Sequence, residues 1–247
     1  MRLLYKISEW FRLQSLFHRL GLHVTRAVNV VCLEPLLYRR LKKTGKLFFV
    51  QIGANDGIFR DPLYEFVTRH HEQIAGLALE PVKETFQKLQ ANYAKYPHVT
   101  PVNVAIHTTK KKLNIYKVDP EFYGKLPEWV RGIASFDKDH YRTLGVPPEA
   151  MITESIRCVT LDELVSQYDV EHIDLLQIDT EGYDAEIIKS IDFSKVKPSI
   201  IRFEHNLEAN KMEPAAFTVL SNLLHLHGYD VILETQDATA YQLDAVL

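Results

Sequence analysis

One stretch constrains this chain more than any other: the apolar run Phe48-Phe49-Val50-Gln51-Ile52, which breaks off into Gly53-Ala54-Asn55-Asp56-Gly57. The run is too short for a buried helix and reads as a strand covered on both faces, the pattern of a parallel sheet. Glycine at both ends of the loop allows a tight turn and a close approach of backbone to a ligand, which a Cβ would obstruct. A strand stopping at such a loop is how a nucleotide-cofactor site begins, although many such loops are only turns. The segments downstream decide the matter.

After the loop, Asp61-Pro62 reads as a helix start, with Asp61 as N-cap and Leu63, Phe66 and Val67 facing inward. Ile74 to Leu79 is a second buried strand that ends at Glu80-Pro81. Val82, Phe86, Leu89 and Tyr93 then recur at helical spacing, and Val99 to Ile106 reads as a third strand. This β-α-β-α-β order predicts a parallel sheet with right-handed crossovers. Between Thr108 and Arg157 only Leu113 to Val118 alternates like an edge strand; prolines, glycines and the aromatics Phe122, Tyr123, Trp129, Phe136 and Tyr141 fill the rest. A long irregular region inside a compact domain is usually functional, and these aromatics favour a ligand-facing role.

Regularity returns at Arg157, followed by a capping box at Thr160 and Glu163. Ile173 to Ile178 is a fourth strand, ending in Asp179-Thr180-Glu181-Gly182-Tyr183-Asp184, and Ser199 to Glu204 is a fifth, with His205 and Asn206 beyond it. A helix from Pro214 to His227 closes at Gly228, and a terminal hairpin pairs Tyr229–Glu234 with Ala240–Asp244.

Residues 1–45 are helical in pattern and basic: nine Lys or Arg (2, 6, 12, 19, 26, 39, 40, 42, 43) against Glu9 and Glu34. Such a segment either lies on a membrane surface, covers the substrate pocket as a lid, or packs on its own domain with its charges in water, and the last is preferred. The expected organisation is therefore a basic amphipathic helical extension over 1–45 and a cofactor-binding domain over 46–247. A net charge of -3 argues against a nucleic-acid partner, which leaves a basic footprint. Cys32 and Cys158 fit neither a disulfide framework nor a zinc site, and a cytoplasmic protein is the plain reading. No apolar run is long enough for a transmembrane segment, so membrane contact would be peripheral and through residues 1–45.

In an open parallel sheet, ligands bind outside the carboxyl ends of the strands. Those ends carry Gly53 to Gly57, Glu80, Asn103 to Ala105, Asp179 to Gly182 and Glu204-His205, so the polar residues converge on one edge. Glu80 lies 23 residues beyond Gly57, where a carboxylate accepts both hydroxyl protons of an adenosine ribose. Asn103 and Ala105 would border the adenine, unless Asn103 only satisfies backbone groups at a strand end. Two cofactors fit. A dinucleotide wants a G-x-G-x-x-G turn for its pyrophosphate, and here Asn55 stands where a middle glycine would be. S-adenosylmethionine instead offers an amino-acid tail to the loop backbone, Asn55 and Asp56, and the terminal hairpin suits a methyltransferase whose last strand turns antiparallel.

Phe49 to Gly57, Leu79-Glu80-Pro81, Asn103-Val104-Ala105, Thr160-Leu161-Asp162 and Leu176 to Tyr183 together resemble the successive motifs of the FkbM family of class I methyltransferases. The resemblance covers about Phe48 to Leu243. It implies a Rossmann-like α/β fold with a mostly parallel seven-stranded sheet and an antiparallel last strand, S-adenosylmethionine as methyl donor, and O-methylation of a sugar, glycan or natural-product hydroxyl. The cofactor contacts it implies run through Gln51, Gly53, Ala54, Asn55, Asp56, Gly57, Glu80, Pro81, Asn103 and Ala105. Many members carry an acidic residue at the place of Gln51 and a lysine at that of Gln177. The first loss removes an anchor for the methionine ammonium, the second a cation near Asp179.

An alcohol is a poor nucleophile until its proton is taken. One scheme makes His205 or Asp179 the general base, with Glu204 beside them. Another lets Asp179 and Glu204 hold a Mg²⁺ ion that lowers the hydroxyl pKa. The alternatives to an O-methyltransferase are an NAD(P)-dependent oxidoreductase and a non-catalytic binding module on a methyltransferase fold.

Overall fold

The computed structural model describes residues 33–207 and 212–246. Most of the helical, basic extension expected over residues 1–45 lies outside the described residues. The described part of that segment is helix α1, Leu33–Thr44. It buries Leu33, Leu36, Leu37 and Leu41 against Leu47 and Phe49 of the first strand. Apolar residues three and four apart put these leucines on one face, while Arg39, Lys42 and Lys43 stay in water.

Seven strands form the main sheet: β1 Leu47–Ile52, β2 Ile74–Leu79, β3 Val99–Val102, β8 Leu175–Ile178, β9 Ile200–Glu204, β10 Asp230–Leu233 and β11 Asp237–Tyr241. Their spatial order is β10-β11-β9-β8-β1-β2-β3. β1 pairs in parallel with both β2 and β8, so the strand order reverses there and opens a crevice at their carboxyl ends. β11 runs antiparallel to both β9 and β10. The mostly parallel sheet with an antiparallel last strand is thus the one expected. The second hairpin strand begins three residues before Ala240, because the turn closes tightly where Glu234 N–H donates to the Asp237 carbonyl at 2.8 Å.

Strand alternation divides the core. Val50, Ile52, Leu176, Ile178, Ile201 and Phe203 point to one side, under α5 (Leu161–Gln167), α6 (Asp184–Lys189) and α7 (Pro214–Leu226). Leu47, Phe49, Leu175 and Ile200 point to the other, under α1, α2 (Tyr64–Arg69) and α3 (Lys83–Tyr93). The capping box at the start of α5 is formed: Glu163 N–H donates to Thr160 Oγ1 (3.1 Å) and Thr160 N–H to Glu163 Oε2 (2.9 Å).

Three sequence expectations are corrected. Asp61 does not cap a helix directly; its Oδ1 accepts the Leu63 N–H at 2.8 Å and the helix begins only at Tyr64, after a bend. The third strand breaks at Asn103, so that Ala105–Ile106 (β4) leaves the main sheet and pairs with Cys158–Val159. The irregular region also contains an unforeseen long strand, β7 (Met151–Val159), antiparallel to β5 (Lys112–Val118) over seven residue pairs, with β6 (Ala134–Ser135) on the other side of β5. Residues 119–150, which include the short helix α4 (His140–Thr143), fold between β5 and β7 around a small core of Val130, Ile133, Val146 and Ala150 with Val118 of β5.

Candidate active site

The glycine loop is held from both sides. The N–H groups of Gly53 and Ala54 donate to the Leu79 carbonyl at 3.0 and 2.8 Å, tying the loop to the end of β2. Gly53 has φ 81°, and a Cβ there would collide with the Asp179 carbonyl, so β1 and β8 end in direct backbone contact. Gly57, at φ 78°, leaves no room for a Cβ above Leu89 and Tyr93. Asn55 also takes a left-handed φ of 49°, which asparagine tolerates better than most residues. Its side chain accepts the Asp56 N–H at 2.8 Å, and Asp56 Oδ1 accepts the N–H groups of Ile58 and Phe59.

Glu80 is the buried acid of this half. Its Oε2 accepts the Asn55 N–H (3.1 Å) and its Oε1 the Val82 N–H (2.8 Å). Burial pushes its pKa up to about 7, against the two backbone N–H groups that favour the charge. Asn103 is exposed and donates to the carbonyls of Glu80 and Pro81 at 2.8 and 3.0 Å, so its amide braces the turn that presents Glu80. Pro81 is half-buried beside it, and Ala105 is buried against β7.

Across the crevice, β8 ends at Asp179, Thr180, Glu181 and Gly182. Asp179 keeps exposed surface at the carboxyl end of β8, although protein crowds its carboxyl. Loss of surrounding water raises its pKa well above the usual carboxylate range, and the nearby charges of Glu204, Glu181, Asp184 and Asp237 add to this. Asp184, unremarked in the sequence, is the buried knot of this half. Its Oδ2 accepts from Thr180 N–H and Oγ1, and its Oδ1 accepts the Glu204 N–H at 3.1 Å, joining β8 to β9.

Glu204 is half-buried and accepts from the Asn206 amide. His205 turns away into the terminal hairpin. Its Nε2 lies 3.0 and 2.9 Å from the carbonyls of Glu234 and Asp237, and its Nδ1 accepts the Leu207 N–H at 3.1 Å. Both ring nitrogens are therefore engaged with backbone. Among the described residues no group of three or more His, Cys, Asp or Glu could hold a metal ion, so the geometry lends Mg²⁺ no support.

The 119–150 region supplies what the sequence left unassigned. His140, only 8% exposed, places Nε2 3.1 Å from Glu181 Oε2, and Ser135 Oγ donates to the Glu181 carbonyl at 2.9 Å. Glu181 itself has φ 53°. The same region brings Gly132 against the Asn55 amide and Tyr123 near Glu80. Phe136 meets Tyr183 and His107 edge-on, while His107 and Tyr183 stack at 5.1 Å. The insertion thus touches both halves of the crevice. Its histidine carried no local signal in the sequence, whereas the alternation Ile152, Glu154, Ile156, Cys158 could have revealed β7.

Gln51 and Gln177 are register partners on β1 and β8, 3% and 5% exposed, on the face that holds Phe49 and Leu175. Arg202 and Thr239 continue the row, with Arg202 held by Glu234 (2.5 Å) and Asp237 (2.7 Å). Gln51 Oε1, Gln177 Oε1, Asp61 Oδ2 and the Tyr93 hydroxyl are all buried without a hydrogen-bond partner. An unsatisfied buried polar group costs about 1–3 kcal/mol, so four together need an explanation. The Asp61 carboxyl lies beside Gln51 and near Tyr93, and burial pushes its pKa up to about 6.

A family model described as the methyltransferase FkbM domain matches residues 51–231. No curated protein matches the sequence. Among solved structures the chain is similar to an O-methyltransferase from Bacillus cereus in complex with SAH (8% identity, TM-score 0.42, covering 95% of this chain and 90% of that one). It is also similar to a precorrin-6y C5,15-methyltransferase from Geobacter metallireducens (15% identity, TM-score 0.40, covering 89% and 93%). A third is the fibrillarin pre-rRNA processing protein of Methanococcus jannaschii (13% identity, TM-score 0.41), where the match covers 80% of this chain and 66% of that one.

Proposed function

Because the chain belongs to the FkbM methyltransferase family, with S-adenosylmethionine as methyl donor, we propose that its acceptor is a hydroxyl of a sugar, glycan or natural product. The observation that carries this reading is the crevice between β1 and β8, with a ribose-type carboxylate on one side and an open carboxylate cluster on the other. The residues fit the cofactor. Glu80 has lone pairs left for hydroxyl donors, the backbone of Gly53 to Gly57 leaves no side chain in the way, and the unpartnered oxygens beneath the loop call for a donor.

The cofactor supplies an electrophilic methyl group and leaves as a thioether. The chain has to hold the acceptor hydroxyl in line, keep water out and take its proton. Asp179 is the carboxylate turned to an acceptor, with Glu204 at the end of β9 and Glu181 in the loop after β8 crowding it. Burial, with repulsion from these neighbours, makes Asp179 hold a proton more readily than an ordinary carboxylate, which suits a base that takes one from an alcohol. His205 is not free for that task, since both its nitrogens are committed. The 119–150 region, with Tyr183 and His107 at its rim, would shape the acceptor pocket.

Calorimetry with S-adenosylhomocysteine tests the cofactor. Methyl-labelled S-adenosylmethionine, offered with a panel of monosaccharides, glycans and hydroxylated natural products, tests the acceptor. Label appearing only on amines or on carbon would overturn the hydroxyl assignment.

A further inference from the structure

We infer that Asp61, with Gln51 and Gln177, receives the ammonium group at the amino-acid end of the cofactor. The inference rests on the cofactor reading above and assigns residues to one end of it.

The argument is a count of donors and acceptors. Of the four unpartnered atoms beneath the glycine loop, Gln51 Oε1, Gln177 Oε1 and Asp61 Oδ2 are acceptors. Gln51 and Gln177 sit side by side in register, and the Asp61 carboxyl lies against Gln51. The Tyr93 ring packs directly under Gly57, and its hydroxyl lies in the field of Asp61. Three neighbouring acceptors, one of them a carboxylate, call for a group with several N–H donors and a positive charge. An ammonium offers three such donors; a water offers two.

The other acids at the loop each already accept two backbone N–H groups. Asp56 Oδ1 takes the N–H groups of Ile58 and Phe59, and Glu80 takes those of Asn55 and Val82. Asp61 takes the Leu63 N–H on Oδ1, has the Gln51 side chain as a further donor, and leaves Oδ2 without a partner. The strand has a neutral Gln51 at its end, and the bend over residues 58–63 returns a carboxylate to the same spot from ten positions downstream.

The test compares three probes by calorimetry: S-adenosylhomocysteine, its deaminated analogue that keeps the carboxylate, and 5′-methylthioadenosine, which has no amino-acid end. With the unaltered protein, loss of the ammonium alone should weaken binding tenfold or more. Asp61→Asn should weaken S-adenosylhomocysteine by a similar factor while leaving methylthioadenosine within twofold. Adding Gln51→Glu to that variant should restore most of the loss.

Equal binding of S-adenosylhomocysteine and its deaminated analogue overturns the inference and leaves a buried water as the partner. So does an Asp61→Asn variant that weakens all three probes alike, or none. If that variant does not fold, the ligand-side comparison decides alone. If neither S-adenosylhomocysteine nor methylthioadenosine binds, the cofactor reading itself falls, and the inference with it.

Discussion

The backbone N–H of Asn55 donates to Oε2 of Glu80 at 3.1 Å, so the carboxylate at the end of β2 also holds the crest of the glycine loop at the end of β1. On the proposed cofactor reading, one side chain then has two tasks, to shape the loop and to face the ribose. Glu80→Gln keeps the size but replaces one acceptor oxygen with a donor that opposes a backbone N–H. Affinity for S-adenosylhomocysteine should fall by roughly 10- to 100-fold, the worth of a hydrogen bond to a charged group. Calorimetry on the variant, with its melting temperature as a control for folding, reads this directly.

Cofactor affinity should depend on pH through the same residue. Folded Glu80 holds a proton up to about pH 7, against an ordinary value of 4.5, so between these limits the folded state binds more protons than the unfolded one. Its contribution to stability therefore falls as pH rises from 4.5 to about 7 and is level above that. A ligand whose hydroxyls donate to Glu80 prefers the ionised form, so its dissociation constant should drop through this window by at most tenfold per pH unit. Titrations in buffers of different ionisation heat should show proton release on binding near pH 6, and the part that persists in Asp61→Asn, whose own carboxyl is pushed up to about 6, belongs to Glu80. An affinity that is flat from pH 5 to 8 would refute the assignment.

Asp179→Asn and His205→Ala should separate chemistry from architecture. The first removes a crowded carboxylate at an open position, so methyl transfer should fall by about 100-fold or more, in line with general-base contributions. Cofactor binding should persist and the melting temperature hold or rise. The second removes a buried ring that ties β9 to the hairpin turn through Glu234 and Asp237. It should cost about 2 kcal/mol of stability and leave cofactor affinity unchanged. A His205→Ala enzyme that is fully stable but inactive would return the histidine to the chemistry.

His140→Ala should loosen the insertion without unfolding the sheet. Ser135 Oγ also joins these loops through the Glu181 carbonyl, so losing the His140 contact should quicken amide exchange in residues 134–146 without freeing them altogether. Exchange in β1 and β8 should not change.

The convergence of the strand ends at one sheet edge was legible in the sequence, and for a definite reason. Chain order maps onto sheet position in a parallel fold, so the loop after Ile52, Glu80 and Asp179 had to meet at one edge. Side-chain direction was not legible. His205 stands at a strand end as a catalytic group would, but its ring turns into the hairpin, and only the distant Glu234 and Asp237 carbonyls determine that. Asp184 and His140 matter through partners 20 and 41 positions away, and no local pattern marks such pairs. β7 was missed because Glu154 interrupts the apolar side of its alternation, Ile152, Ile156 and Cys158.

The stem formed by Lys112–Val118 and Met151–Val159 gives the insertion a regular, seven-pair attachment, and the residues between carry a core of their own. That makes the stem a natural graft point. Exchanging the segment between relatives at Val118 and Met151 should transplant acceptor choice as a unit, provided that the donor segment brings its own counterparts of Ser135 and His140 to grip the loop at Glu181. Diversification can then proceed by trading cassettes, with the sheet and its cofactor crevice left as common stock.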